Sequence, residues 1–226
     1  MTLPFSRTEF FSVFAGYNES VWPAQAVLYA LAIAAVVLNL RKSAAAARGT
    51  YAVLAVLWLW MGVVYHAGFF AAINPMALVF AVFFVVQAAL FVVLAVRPRA
   101  AAFAPQRDLE GWAGGALVAL GLLIYPLLSI AAGHQYPAQP TFGLPCPTTI
   151  FTLGILLWGH GTVPRVVFVI PVLWAVVGTV AAIQLGVIED LSLTLSLAVV
   201  ALVWIAPTAA FHTATLRSRL GSVRWS

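Results

Sequence analysis

"MALVFAVFFVVQAALFVVLAV", residues 76–96, is the stretch that decides the fold class of this chain. It contains no charged residue and one strongly polar residue, Gln87. A helix rises about 1.5 Å per residue, so about 20 apolar residues cross the roughly 30 Å hydrocarbon core of a bilayer. The stretch lacks the alternation of polar and apolar residues that is typical of membrane barrel strands. It therefore predicts a transmembrane α-helix.

The composition extends this prediction to the whole chain. Of its 226 residues, 64% are hydrophobic and only 8% are charged, which leaves too few polar side chains to cover a soluble domain. We predict an all-α polytopic membrane protein with a single domain at 1–226, in which a seven-helix bundle at 17–212 precedes a basic cytoplasmic tail at 213–226. The seven predicted transmembrane helices are 21–40, 50–70, 76–96, 112–132, 148–161, 165–186 and 191–212.

Basic residues predict the orientation, because Lys and Arg in short loops are retained on the cytoplasmic side. Arg7 lies on the side of the N-terminus. The other basic residues follow predicted helices one, three, five and seven, and they are Arg41, Lys42, Arg48, Arg97, Arg99, Arg107, Arg165, Arg217, Arg219 and Arg224. We therefore predict an external N-terminus and a cytoplasmic C-terminus. The net charge of +5 suits anionic lipid headgroups, and no aromatic-interleaved basic patch indicates a nucleic-acid partner.

The N-terminal segment is predicted to form an amphipathic interfacial helix at 5–16. Ser6 and Glu9 have the spacing of a capping box, and Phe5 and Phe10 occupy the positions of a hydrophobic staple around it. The apolar face of such a helix would lie in the outer headgroup region. The alternative is an additional helix buried in the core.

Polar residues collect near the predicted outer ends of the helices. Polar side chains are costly in lipid, so those below the interface are expected to face the bundle interior or a wet cavity. The sequence therefore predicts an outward-facing polar cavity. Its candidate lining residues are Asn18, Glu19, Gln25, Tyr65, His66, Asn74, Tyr125, His134, Tyr136, Cys146, Thr148 and Thr149.

The only cysteine lies in the segment "GLPCPTTIFTLG", residues 143–154. We expect Pro145 and Pro147 to prevent a regular helix through Cys146, which would leave a candidate re-entrant loop before a short fifth helix. Interrupted helices of this kind often mark binding sites in transporters. Two simpler interpretations stay open: the two threonines, Thr148 and Thr149, cap that helix, or Cys146 is a small buried hydrophobic residue.

The outer polar residues also include nitrogen, oxygen and sulfur donors that suit zinc or copper. The candidate metal ligands are Glu19, His66, His134, Cys146 and Glu189. We favour a metal-free hydrogen-bonding cavity around Asn18, Glu19, Tyr65 and His66, and the sequence assigns no cofactor. His66 is alternatively a packing residue, and Glu189 a solvated loop residue.

Four segments resemble hallmark stretches of a family of small bacterial polytopic membrane proteins of unknown function. They are "YNESVWPAQ" (17–25), "YHAGFFAAINP" (65–75), "HQYPAQPTFGLPCPTTIFTLG" (134–154) and "GVIEDL" (186–191). The Pro-Cys-Pro-Thr-Thr motif is the most specific of these features, and the resemblance extends to about residue 212. It implies a location in the bacterial inner membrane, and it implies no activity.

Two familiar functions of membrane helix bundles do not fit the sequence. Retinal binding needs an intramembrane lysine, whereas the only lysine is Lys42 in a predicted cytoplasmic loop. Intramembrane metal hydrolases use several histidines, and only His66 is well placed here, because His160 and His212 lie near the opposite side. The favoured function is binding, sensing or transport of a small solute or ion. The alternatives are a non-catalytic accessory subunit of a membrane complex and a thiol- or metal-dependent membrane enzyme.

Overall fold

The computed structural model describes residues 3–96, 103–159 and 162–220, with side chains up to residue 206. Arg97, Arg99, His160 and residues 221–226 lie outside the described residues, as do the side chains of His212, Arg217 and Arg219. The described residues form no β-strand. They form eight longer helices, namely α1 (Arg7–Val21), α2 (Ala24–Asn39), α3 (Ala44–Ala72), α4 (Ala77–Val96), α5 (Leu109–Ala131), α6 (Pro145–Leu157), α7 (Val169–Leu185) and α8 (Ser192–Leu220), and two short 3-10 helices, Arg165–Phe168 and Ile188–Leu191, lead directly into α7 and α8.

The first helix begins as its sequence predicts. The Ser6 hydroxyl accepts a hydrogen bond from the Glu9 backbone N–H, and the Glu9 carboxylate accepts one from the Ser6 backbone N–H at 2.8 Å. The rings of Phe5 and Phe10 stack with centroids 5.9 Å apart. The predicted capping box is therefore confirmed, although α1 extends to Val21 rather than to residue 16.

Helix α1 lies across one end of the bundle. Its axis makes an angle of 88° with α2, which follows after a break at Trp22 and Pro23. One face of α1 buries Phe10, Phe14 and Tyr17 against the bundle, and the opposite face is exposed. We call this end of the molecule the α1 end. The loop at 132–144 and the turn Ile188–Leu191 lie at the same end, because both contact residues of α1 or α5 there.

The predicted number of seven membrane-spanning helices is not confirmed. Among the described residues, five helical segments are long and apolar enough to cross a membrane, namely Ala44–Ala72, Ala77–Val96, Leu109–Ala131, Arg165–Leu185 and Ile188–Ala206. The bent pair of α1 and α2 counts as a sixth if it forms one span, and α6 is shorter than a span needs. Large apolar side chains such as Val82 and Ile183 are exposed on the outer faces of α4 and α7, as expected for contact with lipid.

Helix α6 occupies the centre of the bundle. All of its residues except Cys146 are buried, and a helix that is apolar on every side belongs in a core. Glycines let it contact α5 backbone to backbone. A Cβ atom added at Gly154 would lie 2.7 Å from the Gly114 carbonyl oxygen, and one added at Gly121 would lie 2.6 Å from the Pro147 carbonyl oxygen. Small residues permit this close helix packing in membranes.

The expectation for the proline-bracketed cysteine was wrong. Helix α6 begins at Pro145 and includes Cys146 and Pro147 in its first turn. The first N–H groups of a helix have no partner within it, so proline costs little at these positions. Thr148 does not cap the helix, since its hydroxyl accepts a hydrogen bond from the Gly143 backbone N–H at 3.0 Å. Thr149 is buried without a hydrogen-bond partner for its hydroxyl.

Two of the long helices contain π-helical stretches. One covers Met61–Phe69 in α3 and carries Tyr65 and His66, and the other covers Leu120–Ile124 in α5. The second has a local cause, because Pro126 donates no hydrogen bond and its ring clashes with the carbonyl one turn earlier in a regular helix. Widened turns of this kind occur often at functional sites.

Candidate functional site

A cavity of about 290 Å³ lies beneath α1 at the α1 end of the bundle. Most of its wall is apolar. It is lined by the N-terminal segment and α1 (Leu3, Phe5, Phe10, Phe14), by α3 and α4 with their connection (Tyr65, Phe70, Asn74, Phe80), by α5 and α6 with the loop between them (Tyr125, Pro140, Leu144, Pro145, Cys146, Pro147), and by α7 and the turn after it (Trp174, Val176, Val177, Gly178, Val180, Ala181, Asp190).

Asp190 supplies the one carboxyl group among these lining residues. Helix α7 ends at Gly186, whose φ of 66° is readily adopted by glycine, and the chain then turns through Ile188–Leu191. This turn directs the Asp190 side chain inward, where it is only 3% exposed. The Tyr125 hydroxyl donates a hydrogen bond to the Asp190 carboxylate, and the Cys146 thiol interacts with the same carboxylate.

Glu189 points away from the cavity wall and pairs with the surface loop. Its Oε1 atom lies 2.6 Å from His134 Nδ1 and accepts a hydrogen bond from Ser129 at 3.1 Å. Arg7 Nη2 lies 3.4 Å from the other ring nitrogen of His134. The second carboxyl oxygen of Glu189 is buried without a hydrogen-bond partner. Two adjacent acidic residues therefore face different surroundings, the cavity and the outer loop.

His66 is fully buried, and neither ring nitrogen has a hydrogen-bond partner. Aromatic rings surround it, the nearest being Phe84 at 4.5 Å and Trp174 at 4.9 Å between centroids. The Trp174 indole N–H is also buried without a partner, and this ring forms part of the cavity wall. His66 is therefore placed behind the wall rather than on it.

Asn18, near the end of α1, holds the loop between α5 and α6 against α1. Its side-chain amide donates to the carbonyl oxygens of Pro137 at 2.6 Å and Gln139 at 2.7 Å. Its amide oxygen accepts hydrogen bonds from Gln25 at 2.6 Å and Thr141 at 2.8 Å. Protein groups occupy both donor and both acceptor positions of the Asn18 side chain. These hydrogen bonds hold the loop and leave no position of the side chain free to bind a ligand.

The structure divides the predicted site residues into separate groups. Those that line the cavity are Tyr65, Asn74, Tyr125 and Cys146. Those that hold the loop are Asn18, Gln25 and Tyr136, the last through a 3.2 Å hydrogen bond to the Asn18 carbonyl oxygen. Glu19 is exposed on α1.

The five candidate metal ligands are not assembled into one site. Within the described residues, no group of three or more His, Cys, Asp and Glu side chains is placed to hold a metal ion. Only His134 and Glu189 of the five are in contact. His66 lies among aromatic rings, and Cys146 interacts with Asp190 instead.

Most of the lining residues were not among the predicted site residues, and Asp190 and Trp174 are the two that carry polar groups. Asp190 and Glu189 lie in a short connection between two apolar helices. A carboxyl group at such a position is a sequence signal that could have indicated a place for Asp190 at the end of the bundle. Trp174 lies within the apolar predicted helix 165–186, where nothing in the sequence separates a cavity wall from a lipid-facing surface.

In the part of the chain that the structure describes, these features define an all-helical protein with five or six helices apolar enough to span a membrane and an apolar cavity lined by one buried carboxyl group. The chain belongs to the DUF6064 family, a family of unknown function whose model matches residues 7–215. No curated protein matches the chain. No solved structure matches it either. The bacterial origin and the significance of the Pro-Cys-Pro-Thr-Thr motif stay predictions.

Proposed function

We propose that this membrane protein binds a small, largely apolar molecule in the cavity beneath α1, with a hydrogen-bond-donating end of that molecule at Asp190. The observation that carries the proposal is a buried carboxyl group on the wall of an otherwise apolar cavity. Carboxyl groups are expensive in such surroundings, and ionisable residues within membrane proteins generally serve function.

The size and lining of the cavity support this proposal. Binding sites for small molecules are concave, mostly apolar and aromatic, and they contain a few polar groups that orient the ligand. Here the orienting groups are Asp190, Tyr125 and Cys146 at one side and Asn74 at another. Of the predicted small solute or ion, an ion fits less well, because the polar residues of the outer loop already bond to one another.

The proposed setting is a bilayer with the α1 end outside. Arg41, Lys42, Arg48, Arg107 and Arg165 adjoin the helix ends opposite α1, as the positive-inside rule requires of the cytoplasmic side. The cavity would then belong to the outer half of a bacterial inner membrane.

Thermal unfolding in phosphatidylcholine nanodiscs tests the proposal, with n-decylamine as the probe. A ligand that binds only the folded state raises the unfolding temperature as its concentration rises. We expect n-decylamine to stabilise the wild-type protein. We expect Asp190→Asn to abolish most of this stabilisation, because the variant keeps the shape of the side chain but removes its charge.

Glu19→Gln is the matched control, since it removes an acidic residue that is exposed at the same end of the molecule. This variant should respond to n-decylamine as the wild type does. Equal stabilisation of wild type and Asp190→Asn would contradict the proposed site. No stabilisation of the wild type would contradict binding of this class of molecule.

A further inference from the structure

The cavity is closed toward the α1 end by a layer of aromatic side chains. Phe5, Phe10 and Phe14 line the cavity and are each less than 10% exposed. Phe70 extends this layer from α3, with its ring centroid 5.4 Å from that of Phe5 and 6.0 Å from that of Phe10. Pro140 of the loop lies beside them, and Asn18 holds that loop in place. A solute that approached from water would have to displace this aromatic layer.

The cavity reaches the surface on a different side, along α7. Val176, Val177 and Val180 line the cavity and are also 47%, 40% and 49% exposed. They share this outer face with Leu173 and Ile183, which are exposed and do not line the cavity. Exposed apolar residues within an apolar helix of 21 residues, Arg165–Leu185, face the hydrocarbon of the bilayer. The opening is therefore directed at lipid.

We infer that the ligand of this cavity is a basic amphiphile, an amine head on a hydrocarbon tail, that enters from the bilayer past Val176, Val177 and Val180. This inference rests on the proposed function, and it specifies the chemical class of the ligand and the route by which the ligand enters the cavity. A molecule dissolved in lipid reaches the opening without leaving an apolar environment.

The charge of the lining favours an amine over an acidic head. Asp190 lines the cavity, and neither Lys nor Arg does so within the described residues. The ionisable groups that interact electrostatically with Asp190 are Tyr65, Tyr125, Cys146 and, from the outer-loop side, Glu189, and none of them carries a positive charge. An anionic head would meet a like charge and only uncharged donors here, whereas an amine pairs with the carboxylate.

Cys146 offers a direct test of the route, because it lines the cavity and is the only cysteine. The wild-type protein in phosphatidylcholine liposomes is treated with an N-alkyl maleimide that partitions into lipid, or with a sulfonated maleimide that stays in water. We expect the alkyl reagent to label Cys146 several-fold faster. Cys146→Ala gives the background of each reagent.

Val177→Trp places a large side chain at the proposed opening, and Ile183→Trp places the same side chain on the same lipid-facing surface away from it. Val177→Trp should slow labelling by the alkyl reagent several-fold, and Ile183→Trp should leave it unchanged. Faster labelling by the sulfonated reagent, or equal rates in both tryptophan variants, would overturn the route through the bilayer.

The two proposals fail separately. If n-decylamine stabilises the protein through Asp190 but labelling does not depend on Val177, the binding site is supported and the route through the lipid is contradicted. If Val177→Trp slows labelling and Ile183→Trp does not, but Asp190→Asn binds n-decylamine as the wild type does, the route is supported and the amine site at Asp190 is contradicted. Preferential stabilisation by n-decanoic acid would overturn the basic head group.

Discussion

At the scale of single residues, the two adjacent acidic side chains after α7 have different roles. Glu189 bonds to His134 and Ser129 and thereby connects the outer loop to the bundle. Asp190 faces the cavity and bonds to Tyr125. A carboxylate in an apolar site is tolerated when hydrogen bonds compensate its lost hydration. The position of Asp190 is therefore stabilised by Tyr125, and a ligand amine would add a charged partner.

Asn18 gives a prediction about stability rather than binding. Asn18→Leu keeps the approximate size of the side chain and leaves the carbonyl oxygens of Pro137 and Gln139 without this donor. Each buried polar group that loses its partner costs about 1–3 kcal/mol, so we expect a loss of roughly 2 kcal/mol or more. Thermal unfolding in detergent measures it. The exposed neighbour provides the comparison: if Glu19→Gln lowers the unfolding temperature as much, the loop-holding role of Asn18 is wrong.

At the scale of helices, the contact of α5 with α6 depends on glycine. Gly154→Ala would place a Cβ atom 2.7 Å from the Gly114 carbonyl oxygen and 2.8 Å from the Val118 nitrogen, so the helices must separate. Overpacking of this kind costs about 1–3 kcal/mol, and we expect a loss of stability in that range. Gly115→Ala on α5 is the control, because an added Cβ there meets no atom within 4 Å. Similar unfolding temperatures for both variants would contradict the close packing of these helices.

The helices also show which local features the sequence could and could not predict. The capping box of Ser6 and Glu9 was predictable, because it depends on residues three positions apart. The helix from Ala77 to Val96 was predicted almost to the residue, because uninterrupted hydrophobicity has one interpretation in a membrane. The first turn of α6 was not predictable in this way. Whether Pro145 and Pro147 interrupt a helix or begin one depends on where the preceding loop ends, and that loop is held by long-range contacts such as those of Asn18.

At the scale of the whole molecule, the separation of basic residues from the cavity is the basis of the proposed orientation. Arg41, Lys42, Arg48, Arg107 and Arg165 adjoin the ends of α2, α3, α5 and α7 that lie opposite α1, whereas Arg7, His134 and Glu189 meet at the α1 end. The periodic apolar runs predicted the membrane class. The number of membrane-crossing helices was harder to predict, because α6 is as apolar as a spanning helix but shorter than a span needs, and all of its residues except Cys146 are buried in protein.

Orientation is testable with reporters fused to the C-terminus. We expect green fluorescent protein at this position to fluoresce and alkaline phosphatase to be inactive, since the first folds in the cytoplasm and the second needs the oxidising exterior for its disulfides. The same reporters after Arg41, which adjoins the end of α2 opposite α1, should give the same result. Active phosphatase at both positions would reverse the orientation and place the cavity in the inner half of the membrane.

The central claim is that the cavity beneath α1 holds an amine-bearing amphiphile at Asp190. A crystal structure of the protein grown in lipid with an alkylamine that carries bromine at its far end tests this claim most directly. The account predicts an anomalous bromine peak inside the cavity or at its opening beside Val177, with the amine nitrogen within hydrogen-bond distance of the Asp190 carboxylate. Bromine found only along the outer lipid-facing surface, with the cavity free of the probe, would contradict it.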